Sequence, residues 1–135
     1  MRSSLLCVLL IATALGGCVS LHPVAPVVDG PGGVRVLVKA QNDEVFRLEV
    51  VNYGQLPVVI DRDRVVMFTA GGPRTRVPGG FGNVYSVPPG GHHALNVRFK
   101  LGGIRPGERV AIGLAGAVML NGQPLMIPPL EFVAD

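Results

Sequence analysis

Two adjacent histidines, His92 and His93, come nearest in this chain to the side chains of a metal site. Imidazole nitrogen binds many transition metals, and the thioether sulfur of methionine suits soft ions such as copper. Met67, Met119 and Met126 could supply such sulfurs. Neighbouring side chains on a β-strand point to opposite faces, however, so one strand cannot direct both imidazoles to a single ion. The methionines lie in apolar runs and are more simply predicted as core residues.

The other reactive side chains form no pattern typical of an enzyme. A serine, a histidine and an aspartate can be drawn from Ser86, either adjacent histidine and Asp61, but no Gly-x-Ser-x-Gly elbow surrounds the serine. The paired carboxylates of Asp43-Glu44 and Asp61–Asp63 fall where turns are expected, which favours solvated charge over acid–base catalysis. We therefore predict a protein that is not an enzyme and has no cofactor; a small hydrolase is the least favoured class.

Cys18 closes an N-terminal apolar run and follows Leu15-Gly16-Gly17. A basic start, about a dozen mostly apolar residues and then small residues are typical of a secretory signal peptide. The run is shorter than the roughly 20 apolar residues that span a bilayer. The stretch Leu15–Cys18 resembles the lipobox of bacterial lipoproteins, in which an aliphatic residue and two small residues precede the acylated cysteine. Cys7 is a poor alternative because it lies inside the apolar run behind bulky leucines.

The resemblance to lipoproteins implies both a lipid modification and a cellular location. Cys18 would carry a thioether-linked diacylglycerol, residues 1–17 would be removed, and the new N-terminus would be acylated, with palmitate a typical chain. The product would be membrane-anchored in the bacterial cell envelope. Val19, rather than aspartate, after the cysteine implies the outer membrane, with the domain facing the periplasm. Since Cys18 would hold the lipid, the mature chain would have no cysteine left for a disulfide.

Apolar and polar residues alternate with a period of two from Val34 onward, which is typical of half-buried strands. In the clearest strand, Leu95–Leu101, the odd-numbered residues Leu95, Val97, Phe99 and Leu101 are predicted to face the core. Asn121-Gly122 between two apolar runs predicts a type I′ hairpin turn. Hydrophobic residues make up 48% of the chain, enough for a core, and a formal charge of +3 is too near balance to indicate nucleic-acid binding.

These patterns predict an all-β protein, an antiparallel sandwich of seven to nine short strands spanning 34–135. Residues 18–33, rich in proline and glycine, are predicted to form a tether that reaches at most about 50 Å from the lipidated cysteine. The run Leu48–Ile60, with Pro89-Gly90 before the Leu95–Leu101 strand, resembles bacterial immunoglobulin-like accessory domains. That resemblance implies an immunoglobulin-like fold only, and the Cys…Trp…Cys framework of antibody domains is absent.

The segment Ala70–Asn83 is the best candidate for a contact surface. Its five glycines and two prolines predict a long irregular loop. Arg74 and Arg76 would project from the same side of an extended segment, where guanidinium groups can grip carboxylates or phosphates. Phe81 would add an apolar contact. We therefore expect a lipid-anchored binding or accessory module that recognises an envelope protein partner through this loop. The alternative is a periplasmic, copper-type metal-handling protein that uses His92 or His93 with methionine ligands.

Overall fold

The computed structural model describes residues 19–80 and 82–135. The predictions for Cys18, the signal peptide and Phe81 therefore lie outside the described residues. Within these ranges no helix is long and apolar enough to cross a membrane. The strands are β1 (Leu21–Pro23), β2 (Val27–Asp29), β3 (Val34–Ala40), β4 (Val45–Asn52), β5 (Val58–Asp61), β6 (Val66–Thr69), β7 (Gly72–Thr75), β8 (Val84–Val87), β9 (His92–Arg98), β10 (Arg109–Gly113), β11 (Val118–Leu120), β12 (Gln123–Pro124) and β13 (Leu130–Ala134).

All strand pairs are antiparallel and form three sheets. Their orders are β1-β13-β10-β6-β7, β12-β11-β5-β8 and β2-β3-β4-β9. The predicted all-β antiparallel sandwich is confirmed. The described residues form thirteen strands, rather than seven to nine, because several edge strands of two to four residues add to those that alternation predicted.

On β4 and β9, the buried core residues are those that the period-two alternation predicted to face inward. On β4, Phe46, Leu48 and Val50 are fully buried while Arg47 is exposed. Phe46 meets Phe132 of the facing sheet edge-to-face, with ring centroids 5.0 Å apart. The four residues predicted to face inward around β9, Leu95, Val97, Phe99 and Leu101, are all buried. The core therefore joins the sheets through the apolar faces that the sequence predicted.

Asn52 is a fully buried polar residue at the end of β4. Its Nδ2 donates to the carbonyls of Leu56, at 2.8 Å, and Val87, at 3.1 Å, while its Oδ1 accepts from the Gly54 amide at 2.9 Å. Because each polar atom of the side chain has a partner, its burial is compensated. Asn52 thereby fixes the turn between β4 and β5.

The segment predicted as a tether is instead paired with the body of the protein. β1 pairs with β13, with Leu21 opposite Ala134, and β2 pairs with β3, with Val28 opposite Val36. Pro23 is tolerated in β1 because β1, like β2, is an edge strand, which bonds on one side only. The proline and glycine content excluded a central strand, as expected, but not an edge strand.

The Asn121-Gly122 turn is confirmed. Both residues have positive φ, 50° and 77°, and they connect β11 to β12 with Leu120 opposite Gln123. This geometry matches a type I′ turn. The strand after the turn, β12, ends at Pro124, and Leu125 and Ile127 beyond it are buried against the core.

Candidate functional site

The segment Ala70–Asn83 is not irregular throughout. Its first part forms β7, which pairs with β6 through Val66 opposite Thr75 and Phe68 opposite Pro73. An isolated antiparallel bridge then joins Arg76 to Phe99. The loop proper is therefore confined to the residues after Arg76, and its start is fixed to the end of β9.

Arg76 holds this loop together from inside, with a side chain only 8% exposed. Its Nε donates to Oδ1 of Asp63 at 2.6 Å, and its Nη2 donates to Oδ1 of Asn83 at 2.7 Å. Its Nη1 donates to the carbonyls of Gly79, at 3.0 Å, and Val77, at 3.3 Å. A guanidinium with this many internal acceptors organises the loop. The expectation that Arg76 is free to bind a partner is therefore wrong, because its guanidinium is already bonded within the protein.

Arg74 has a different environment. It is exposed and lies beside a small depression of about 100 Å³ that Glu108 and Thr69 also line. Arg76 instead lines a larger cleft. The two arginines expected to act together are therefore placed at different depressions, and Arg74 alone keeps an exposed side chain.

The larger cleft, which we call the arginine cleft, has a volume of about 270 Å³. It is lined by Arg62, Arg76, Val77, Pro78, Gly79, Gly80, Asn96 and Arg98. Asn96 and Arg98 occupy outward positions on β9, while Arg62 begins the short 3-10 turn Arg62–Arg64 after β5. The cleft thus combines three guanidinium groups with one amide and a glycine-containing backbone.

Two of the three guanidinium groups in the arginine cleft already hold carboxylates. Arg76 pairs with Asp63 at 2.6 Å, and Arg98 donates to Oε2 of Glu44 from Nη2 at 2.7 Å and from Nε at 3.1 Å. Arg62 has no carboxylate partner among the described residues. The cleft therefore retains one uncompensated positive charge, which matches one carboxylate better than a multiply charged anion.

Arg62 is held in place by Tyr85. Its Nη2 donates to the Tyr85 hydroxyl at 2.8 Å, and its Cζ lies 5.4 Å from the centroid of the same ring. Its Nε is buried without an acceptor among the described residues. The Gly80 backbone approaches so closely that a Cβ there would lie 2.9 Å from Nη1 of Arg62. Packing therefore orients the guanidinium before any ligand arrives, which lowers the ordering cost of binding.

The adjacent histidines are kept apart. His92 is exposed, with Nδ1 3.6 Å from Oε1 of Glu49, whereas His93 is half-buried and stacks on Tyr85 with ring centroids 4.2 Å apart. They occupy opposite faces of β9, as strand geometry predicted. No group of three or more His, Cys, Asp or Glu side chains suited to a metal occurs in residues 19–80 and 82–135.

The three methionines considered as soft ligands are dispersed. Met67 is fully buried and Met119 is half-buried, in agreement with the prediction of core residues. Met126 is 75% exposed, which corrects that prediction for the last of them. A short run flanked by prolines carries Met126, and the neighbouring Leu125 and Ile127 take the buried positions. Period-two alternation explains this placement.

Sequence reasoning missed Arg62, Asn96 and Arg98 as members of one site. Arg62 lies between Asp61 and Asp63, in a stretch that was predicted only to be a turn with solvated charge. Asn96 and Arg98 were predicted to face outward on β9, and they do. Their outward positions on β9 could be predicted from alternation. No feature of the neighbouring sequence indicates that the turn after β5 lies close to them.

No protein-family model and no curated protein matches this chain. Among solved structures it is similar to the X-ray structure of Northeast Structural Genomics Consortium target SoR45. The sequences are 8% identical, the TM-score is 0.41, and the alignment covers 87% of this chain and 84% of the other.

Proposed function

We propose that this protein is a lipid-anchored lipoprotein of the bacterial envelope that acts as a non-enzymatic binding module. The observation that carries the proposal is the Leu15-Gly16-Gly17-Cys18 stretch after a short apolar run. The outer membrane, facing the periplasm, is the proposed location because Val19 follows the cysteine. An envelope protein is the proposed partner.

The arginine cleft is the proposed contact surface. Its uncompensated guanidinium, on Arg62, is oriented by Tyr85, and the Asn96 amide lies at the same cleft. A carboxylate accepts hydrogen bonds from guanidinium and amide donors and neutralises the remaining charge. We therefore propose that the partner presents an aspartate, a glutamate or a C-terminal carboxylate to this cleft.

The anchor is tested by metabolic labelling with a radioactive fatty acid in the native host. Wild-type protein should incorporate the label, and Cys18→Ser should not. The precursor of Cys18→Ser should also keep residues 1–17, because cleavage depends on the modified cysteine in the lipoprotein pathway that the motif resembles. Normal labelling and processing of Cys18→Ser would refute the anchor.

The contact surface is tested by crosslinking in the native host, with a photoreactive residue in place of Pro78, which is exposed at the arginine cleft, and identification of the captured protein. Arg62→Gln should reduce capture at least several-fold, and added salt should reduce capture by wild type. Arg74→Gln removes the same charge from a different depression and is the matched control.

A second variant keeps the test meaningful if Arg62→Gln destabilises the protein. Asn96→Asp changes an exposed side chain by one atom and places a carboxylate at the arginine cleft. It should neutralise Arg62 internally and weaken capture without changing the unfolding midpoint. Capture equal to wild type in both variants would exclude the arginine cleft as the contact surface.

A further inference from the structure

We propose that the folded domain sits directly on the membrane surface, without a tether, and in one orientation. The end that faces the bilayer would carry Val19, the β3–β4 turn and the C-terminal Asp135. This inference rests on the proposed acylation of Cys18. The partner surface is the lipid headgroup layer around the anchored cysteine.

The chain is fixed to the body immediately after the anchoring residue. Val19 is 9% exposed and Leu21 is 6% exposed, so both belong to the core. Ser20 exchanges two backbone hydrogen bonds with Asp135, at 3.4 and 2.8 Å. Consecutive Cα atoms lie about 3.8 Å apart, so the lipidated cysteine is one residue away from a buried side chain.

The pairing continues along the segment. β1 pairs with β13 over three residues, and the Val24 amide donates to the Glu131 carbonyl at 2.8 Å. β2 then pairs with β3, and Arg35 binds Asp29 through two hydrogen bonds, at 2.7 and 3.2 Å. No stretch of residues 19–29 long enough to serve as a spacer remains unattached. The reach of the domain above the membrane is therefore set by the sandwich and not by a tether.

The strand directions identify which end faces the bilayer. Val19–His22 and Ala40–Asp43 line the same concave surface, which places the β3–β4 turn beside the anchor. The Gly107 amide donates to the Ala134 carbonyl at 2.8 Å, which brings the turn before β10 to this end as well. The opposite end holds the turn after β4, where the Tyr53 amide donates to the Gly33 carbonyl at 2.8 Å.

The two ends lie far enough apart to be distinguished experimentally. β4 has eight residues, which at about 3.3 Å per residue span roughly 26 Å. Tyr53, 64% exposed, and Leu56, 45% exposed, would then face the aqueous compartment. An orientation fixed by the anchor therefore leaves these side chains accessible to soluble proteins.

The described residues of the bilayer-facing end form no large basic or apolar patch. Charges of both signs are mixed there: Asp43, Glu44 with its partner Arg98, Lys100, Arg105, Glu108 and Asp135. Such a surface gains little from anionic lipid, so the acyl chains must supply the affinity. The structure therefore determines the orientation of the domain and not the strength of its attachment.

The test uses the mature acylated protein in vesicles of phosphatidylethanolamine and phosphatidylglycerol that contain headgroup spin-labelled lipid. Because Cys18 is blocked by lipid and Cys7 is removed, one introduced cysteine can be labelled with a fluorophore. Asp43→Cys places the label beside the anchor, and Gln55→Cys places it at the opposite end. Fluorescence of the Asp43→Cys label should be quenched at least two-fold more than that of the Gln55→Cys label. Equal quenching would overturn the proposal.

A ten-residue Gly/Ser insertion between Cys18 and Val19 provides the matched control. Such a linker has an r.m.s. length of roughly 17 Å, so the difference in quenching between the two labels should shrink. An unchanged difference would show that the short attachment does not set the orientation and would refute the proposal. Fatty-acid labelling of the same samples separates the two hypotheses: an unlabelled wild type overturns the anchor itself, whereas labelled protein with equal quenching overturns only the orientation.

Discussion

At the scale of single residues, Arg74 and Arg76 show how little spacing says about burial. Arg76 donates three hydrogen bonds within the loop and one to Asp63, whereas Arg74 is exposed. Arg76→Ala should lower the free energy of unfolding by about 2–3 kcal/mol, because acceptors arranged around a charged donor lose it. Arg74→Ala should change it by less than about 0.5 kcal/mol. Urea unfolding measures both, and equal small effects would mean that Arg76 does not organise the loop.

The Asp29–Arg35 pair connects the edge strand β2 to β3 and gives a prediction about pH. The hydrogen bond from Arg35 and its positive charge hold the pKa of the Asp29 carboxyl below its ordinary value. A carboxyl whose pKa is lowered by folding adds stability above its unfolded pKa, and this stability is lost as the pH falls through the lowered pKa. Arg35→Gln should therefore raise the pKa of Asp29, as measured by NMR titration. No change in that pKa would mean that the pair does not persist in solution.

The site residues could be predicted from sequence only where strand geometry decides their placement. The separation of His92 from His93 follows from alternation on β9, as does the outward position of Asn96. The meeting of Arg62 with Arg76 depends on how the turn after β5 packs against the loop, and no local periodicity encodes such a contact. Long-range contacts between irregular segments are therefore the features of the site that could not be predicted from the sequence.

At the scale of elements, β9 and its extension show where alternation is a strong predictor. Phe99 is fully buried, with its ring centroid 6.0 Å from that of Phe46, whereas Lys100 is exposed. Phe99→Ala should lower the free energy of unfolding by about 3–5 kcal/mol. Lys100→Ala should change it by less than about 0.5 kcal/mol. Chemical unfolding of the two variants checks the assignment of faces, which comparable losses at both positions would contradict.

Edge strands were harder to predict than central ones. Alternation located β3, β4 and β9, because in each of them the apolar residues of one face are buried. The short strands β1, β2 and β7 have three or four residues and bond to one neighbour each, and β1 and β7 contain proline or glycine, so their own residues carry no alternating pattern. Their pairing is determined by the partner strand, and this explains why a predicted tether and a predicted loop both proved partly structured.

At the scale of the whole molecule, the N-terminal segment completes both sheets that it joins. β1 covers the edge of β13, and β2 covers the edge of β3. Without residues 19–33, both edges would present unpaired backbone groups, which favours association between molecules. The sequence pattern placed the domain at 34–135, whereas the structure includes residues from Val19 in the packed core.

Deleting residues 19–33 should therefore destabilise the domain. We expect a protein of residues 34–135 to unfold at a lower urea concentration than one of residues 19–135, and to scatter more light at equal concentration. Leu21→Ala in the longer protein isolates the contribution of packing: Leu21 is 6% exposed, so its truncation should cost about 2–3 kcal/mol. Val24→Ala is the matched control, because Val24 is 52% exposed and should change stability by less than about 0.5 kcal/mol. If the two lengths unfold at the same midpoint and Leu21→Ala behaves like Val24→Ala, the segment contributes nothing to the fold, and it would be free to act as the tether that its composition predicted.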